Sequence, residues 1–134
     1  MKSKAVLTAT EIDAMVGAAL AKAEELGLSA TVALCDDGGH PLRLYRMDGT
    51  GSMTPAVASA KARTAALMRA PSGALTSRLK DEPELLRLTE YLPMPGGLPI
   101  VHDGQCIGGI GVSGGSGAQD EAIAEAGRAA LVAG

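Results

Sequence analysis

The chain has 134 residues, a formal net charge of −3 and 46% apolar residues, yet no Phe or Trp. Its length suits one domain, and the interior has to be built from Ala, Leu, Val, Ile and Met. Interspersed charges without a basic stripe argue against a nucleic-acid partner, and two cysteines without a CxxC or Cys/His cluster show neither a zinc pattern nor a disulfide framework.

In chain order, the basic Met1-Lys2-Ser3-Lys4 is followed only by Ala5, Val6 and Leu7, too short a run for a signal-peptide core. No segment approaches the ~20 apolar residues of a membrane span. A soluble, cytoplasmic protein without a membrane partner is expected. Thr8 and Glu11 have the spacing of a capping box, and Ile12, Met15, Val16, Ala19, Leu20, Ala23 and Leu26 recur at helical spacing before Gly27 stops the helix. Thr31 to Asp36 and Leu42 to Met47 are β-prone and flank Asp37-Gly38-Gly39-His40, which predicts a hairpin.

Thr54 to Met68 is Ala-rich, with Pro55 suited to a first helical turn. Ser72 to Leu92, interrupted by Pro83, predicts one or two short helices. After the rigid bend Pro93-Met94-Pro95-Gly96-Gly97, two strands, Leu98 to His102 and Gln105 to Val112, are joined by Asp103-Gly104. A two-residue turn there sets Val101 opposite Cys106, Ile100 opposite Ile107 and an exposed His102 opposite Gln105. Ala118 to Val132 closes the chain as a helix with Ile123, Ala126, Ala130 and Leu131 inward and Asp120, Glu121 and Glu125 near its positive end. The order α-ββ-α-α-ββ-α predicts an α/β (α+β) fold, an antiparallel sheet covered by helices.

Several segments carry chemistry-bearing residues. Gly109-Ile110-Gly111-Val112-Ser113-Gly114 matches GxGxxG, but a dinucleotide site needs a βαβ unit with an acidic residue about 20 positions on, and the sequence ends too soon. Close sheet packing accounts for those glycines better. The Ser113 to Gly117 loop still precedes a helix, so the amides of Ser113, Gly114, Gly115 and Ser116 could hold an anion. Asp36 lies beside Asp37 and His40 in a turn, where acid/base chemistry competes with ordinary turn chemistry. Lys61 and Thr64 share a helix face that could clamp an anionic ligand. Haem needs an axial donor; His40, His102, Cys35, Cys106, Tyr45 and Tyr91 supply an inventory without a diagnostic spacing. No GxSxG marks a serine nucleophile.

Taken together, Asp36-Asp37-Gly38-Gly39-His40, Arg46-Met47-Asp48-Gly49, Lys61-Ala62-Arg63-Thr64-Ala65, Gly96-Gly97-Leu98-Pro99-Ile100, Gly108 to Gly114 and Gln119-Asp120-Glu121 resemble the GlcG/HbpS family, which includes the C-terminal domain of PduO proteins. The resemblance covers nearly the whole chain, residues 1–134 as one domain. It implies about five mainly antiparallel strands packed with helices, self-association as a homo-oligomer, and haem binding in some members. This sequence departs from the haem-binding PduO-type domains in having no His in its first helix, and from secreted HbpS members in having no export signal.

Two functions follow as expectations. One is a small-molecule-binding oligomer whose pocket, formed by Lys61, Thr64, Gly96, Gly97, Ser113, Gly114, Gly115 and Ser116, takes haem or another anionic planar metabolite. The other is a cofactor-free enzyme in which Lys61 or Asp36 moves a proton in an isomerisation, elimination or cyclisation, with the Ser113 loop amides stabilising negative charge.

Overall fold

Thr8 and Glu11 start the first helix: the Thr8 hydroxyl donates to Glu11 Oε2, as does the Thr8 amide at 2.8 Å, and together they hold the Glu11 carboxyl below its usual range. In the computed structural model, which describes residues 1–132, α1 spans Ala9–Glu25 and ends at Gly27 with φ of 70°. Residues 133 and 134, included in the expected domain, lie outside the described residues. Strands β1 (Thr31–Asp36) and β2 (Pro41–Arg46) form the first hairpin, and α2 spans Thr54–Met68. β2 starts and stops one residue earlier than expected: past Arg46 the Met47 amide still donates to Ala30 O at 3.1 Å, but the Ala30 amide turns to Met47 Sδ at 3.3 Å, so the reciprocal ladder bond is not made.

The segment between α2 and β3 holds two 3₁₀ turns, Ser72–Ala74 and Pro83–Arg87, and the one-turn α3 (Leu75–Arg78). β3 (Gly97–His102) and β4 (Gln105–Ser113) follow, and α4 (Gly117–Val132) ends the described chain. The sheet runs β2-β1-β4-β3, every pair antiparallel. It has four strands among the described residues, a correction to the expectation of about five. Pro71, Pro83, Pro93 and Pro95 punctuate the long connection before β3 and cannot donate to a ladder, so it folds into short helical turns instead.

Asp103 and Gly104 have φ of 49° and 73°, the signature of a type I′ turn, and Val101 pairs with Cys106 and His102 with Gln105. The register then departs from expectation. Ile100 pairs with Gly108 rather than Ile107, because a bulge inserts Ile107 as an extra residue on β4. The bulge buries Ile107 in the same cluster as Ile100 and Ile110.

Alternation along the strands divides the molecule into layers. Val32, Leu34, Leu98, Ile100, Ile110 and Val112 meet Ile12, Met15, Val16 and Ala19 of α1 and Ile123 and Ala124 of α4 in the main core. On α4 the buried stripe runs through Asp120, Ile123, Ala124 and Gly127; Ala130 and Leu131, expected inward, pack half-buried against the same core, and Ala126, also expected inward, is half-buried. On the opposite face Ala33 and Cys35 meet Ala58, Ala62 and Ala66 of α2. There α2 rests backbone-on-backbone against the sheet: a Cβ at Gly111 would stand 2.1 Å from Ala58 O, and one at Gly109 2.2 Å from Ala62 O. The GxGxxG-like segment is therefore a seat for a helix.

Candidate functional site

Helix α2 carries two cations, Lys61 and Arg63, that its own geometry sends apart. Positions two residues apart lie roughly 200° apart around a helix, so one side chain turns under the helix when the other turns to its flank. Lys61 turns inward. Its side chain is 2% exposed, and Nζ donates to Val112 O at 3.0 Å and to Asp120 Oδ2 at 2.9 Å. Asp120 Oδ1 in turn accepts from the Gly115 amide at 2.8 Å. A buried ion pair holds only when its remaining donors and acceptors are satisfied, and the Val112 carbonyl and Gly115 amide do that here.

The structure thus brings Lys61 and the Ser113 loop together, but the anion between them is the protein's own. Asp120 occupies the place assigned to a ligand carboxylate. The neighbouring amide of Ser116 is also engaged, donating to Gln119 Oε1 at 2.9 Å. Gly96 and Gly97 make room for the lysine and not for a ligand: a Cβ on Gly96 would lie 2.8 Å from Lys61 Nζ, and one on Gly97 2.2 Å from Lys61 O. Ser113 is buried at the end of β4, where it pairs with Thr31, and Gly114 packs against Ser29 and Ala30. Thr64, also buried, donates to Ala60 O at 2.7 Å and accepts from the Leu92 amide at 2.8 Å. Its hydroxyl ties a loop to α2.

Asp36 sits elsewhere. Its Oδ1 accepts from the amides of Gly38 and His40, each at 2.9 Å, so it closes the β1–β2 turn. Val112, where the lysine ends, pairs with Val32, four residues up β1 from Asp36 and roughly 13 Å away at the rise of a strand. The two groups expected to move a proton do not share a site.

Arg63 turns the other way, onto a cleft of about 260 Å³ between α2 and the β1–β2 hairpin. Ala33, Cys35, Leu44 and Ala62 give it apolar walls, and Glu90 lines it as well. Arg63 is half-buried and packs on Gly39, where a Cβ would come within 2.8 Å of its Cγ. Its Nε is buried without a hydrogen-bond partner, and no carboxylate lies within salt-bridge distance among the described residues. Arg43 also borders the cleft, but it pairs with Leu34 of the main core, and its guanidinium meets Asp13 of α1 on the other face of the sheet at 2.7 Å. Burial pushes the Cys35 thiol up to about 12, so it lines the cleft as a neutral group. A wider hollow of about 670 Å³ lies near Lys2, Lys4 and Arg69, but its rim is mostly exposed polar side chains. Small-molecule sites favour apolar walls with a few convergent polar groups, which singles out the Arg63 cleft.

Residues 7–129 match the family described as haem degrading protein HbpS-like. The chain belongs to this family. It is 37% identical to protein GlcG of Escherichia coli K12 over 114 residues, 84% of this chain and 85% of GlcG. Among solved structures, HbpS superposes with a TM-score of 0.92 at 36% identity, covering 98% of this chain and 94% of that one. A PduOC:haem complex superposes with a TM-score of 0.87 at 27% identity, covering 94% and 95%.

In this HbpS-like chain, sequence reasoning missed Asp120 as the lysine's partner and Arg63 as the cation on the cleft. The sequence places Asp120 near a helix N-terminus and within Gln119-Asp120-Glu121, but gives it no partner. The spacing Lys61-Ala62-Arg63 did carry a usable signal, since two residues apart on a helix cannot face one ligand. No helix among the described residues is long and apolar enough to cross a membrane.

Proposed function

We propose that this HbpS-like protein binds a small planar anion in the cleft between α2 and the β1–β2 hairpin, with Arg63 as the counter-charge. The single observation that carries this reading is the half-buried Arg63, whose Nε has no acceptor and which meets no carboxylate among the described residues. Leaving a guanidinium partly desolvated and unpaired is costly, and a ligand carboxylate would offset that cost. The apolar walls then favour a flat hydrocarbon body behind the charge.

A relative crystallised with haem makes haem the first candidate to weigh. An axially ligated haem fits this cleft poorly. Its volume falls below the roughly 300–1,000 Å³ usual for enclosed ligand sites, and the donor on its wall, Cys35, is held as a thiol. His40 is exposed at the hairpin turn and folds against Gly38, His102 is exposed at the opposite hairpin, and Tyr45 pairs with Val32, whose side chain points into the main core on the other face of the sheet. A smaller anion is the better match. Proton transfer by Lys61 or Asp36 gains no support, since one is sealed and the other closes a turn.

The same reading includes self-association, supported by the exposed Leu42, Leu44, Leu86 and Leu88. Sedimentation should give a dimer or larger at micromolar concentration, and a monomer alone would remove that part. For the ligand, calorimetric titration with benzoate and benzamide is the test. Arg63→Gln should weaken benzoate by about tenfold or more, the worth of a charge-assisted hydrogen bond of roughly 1.5–3 kcal/mol, and leave benzamide nearly unchanged. Equal affinities of wild type and variant for benzoate would overturn the assignment. Haemin titration should give no six-coordinate spectrum; one abolished by His40→Ala would return haem to the site.

A further inference from the structure

We infer that the ligand of the Arg63 cleft is amphoteric: a planar carboxylate that carries a cationic or hydrogen-bond-donating group at its far end, received by Glu90. This rests on the proposed anion site and adds its second pole. Among the described residues Glu90 is the one acid lining the cleft. It forms no salt bridge among the described residues, with Arg63 or with any other cation. Two long side chains of opposite sign on one small cleft would fold onto each other if their anchors allowed it. Here both remain unpaired, and the cleft between them has apolar walls.

The segment that carries Glu90 is anchored just beyond it. Two residues beyond it the Leu92 amide donates to Thr64 Oγ1 at 2.8 Å, and Thr64 is the next residue on α2 after Arg63. Thr76 Oγ1 donates to Pro93 O at 3.1 Å, and the Ser72 hydroxyl donates to Met94 O. Side chains from α2, α3 and the Ser72–Ala74 turn therefore pin the segment that follows Glu90. Coulomb attraction across a partly apolar cleft exceeds that in open water, so a molecule with a charge at each end satisfies both walls at once. A plain monoanion satisfies one. Small aromatic amino- or hydroxy-carboxylates have that chemistry.

Calorimetric titration of the full chain with para-(aminomethyl)benzoate and its near-isostere para-ethylbenzoate separates the two poles. The amino compound should bind wild type about tenfold tighter, the effect of one added charge-assisted contact. Glu90→Gln should bring the two compounds to near parity while leaving para-ethylbenzoate within about twofold of wild type, and Glu90→Lys should reverse the order. Glu90 is exposed, so neither variant removes packing. If wild type binds para-ethylbenzoate as tightly as the amino compound, or if the preference survives Glu90→Gln, this inference is wrong and the anion site stands. If neither carboxylate binds wild type, the anion site fails and takes the inference with it.

Discussion

Lys61 and Arg63 are two residues apart on one helix, and their surroundings teach opposite lessons about charge. Lys61 is sealed by Asp120, Val112 and the close approach of Gly96 and Gly97, so its charge is spent on joining α2 to the N-terminus of α4 across the end of the sheet. Arg63 has a glycine turn against its stem and an apolar cleft before it, and no carboxylate among the described residues lies within salt-bridge distance of it. A buried cation that is satisfied is architecture. One that is half-buried and unsatisfied is a site.

The sharpest way to break this contrast is to remove each cation. Lys61→Met strands the Asp120 carboxylate in the interior and should cost about 3–5 kcal/mol of folding stability in urea unfolding, whereas adding Asp120→Asn should recover much of the loss. Arg63→Gln should stay within about 1 kcal/mol of wild type in the same measurement. A large loss for Arg63→Gln with a small one for Lys61→Met would invert the assignment of roles.

A smaller effect tests the seat on which α2 presents both cations. Gly111→Ala places a methyl 2.1 Å from Ala58 O, backbone that has no room to yield. It should lower stability by about 1–3 kcal/mol or more and weaken ligand binding, because α2 has to lift from the sheet. Gly104→Ala, where no atom lies within 4 Å but φ is +73°, samples backbone strain alone and should cost less.

The smallest effect concerns the cleft wall. The Cys35 thiol has a folded value of about 12 against roughly 8.5 in an unfolded chain, so the unfolded state loses its proton first as the solution becomes alkaline. Stability is then fully present below about pH 8 and falls as pH rises toward 12. Cys35→Ala should flatten that alkaline slope in pH-dependent melting, and an unchanged slope would mean the thiol is not desolvated by the cleft wall. Under native conditions a thiol-modifying reagent should label the half-buried Cys106 before the buried Cys35, because it reaches Cys106 more readily.

Much of the fold was legible because its signals are local. Thr8 with Glu11, Gly27, the Asp103-Gly104 pair and the Ala-rich run after Pro55 each constrain a few neighbouring dihedrals, and the elements they predict are present within a residue or so. The bulge at Ile107 was not legible, since it depends on whether that side chain reaches the main core on the far side of the sheet. The fate of Asp36 could be read either way. Turn chemistry and catalysis use the same residues, and the hydrogen bonds to Gly38 and His40 decide for the turn.

By itself the sequence determined the element order, the hairpins, an interior of small and aliphatic side chains, and a resemblance to the GlcG/HbpS family that residues 7–129 bear out. Only tertiary structure decided which charges are free. Lys61 and Asp120 are 59 positions apart, and nothing local to either could show that the chain supplies its own anion where a ligand was expected. Periodicity gives the face of a helix on which a side chain lies. What stands opposite that face depends on how layers pack over the whole chain, and in this protein that packing closes one cation and leaves the other open.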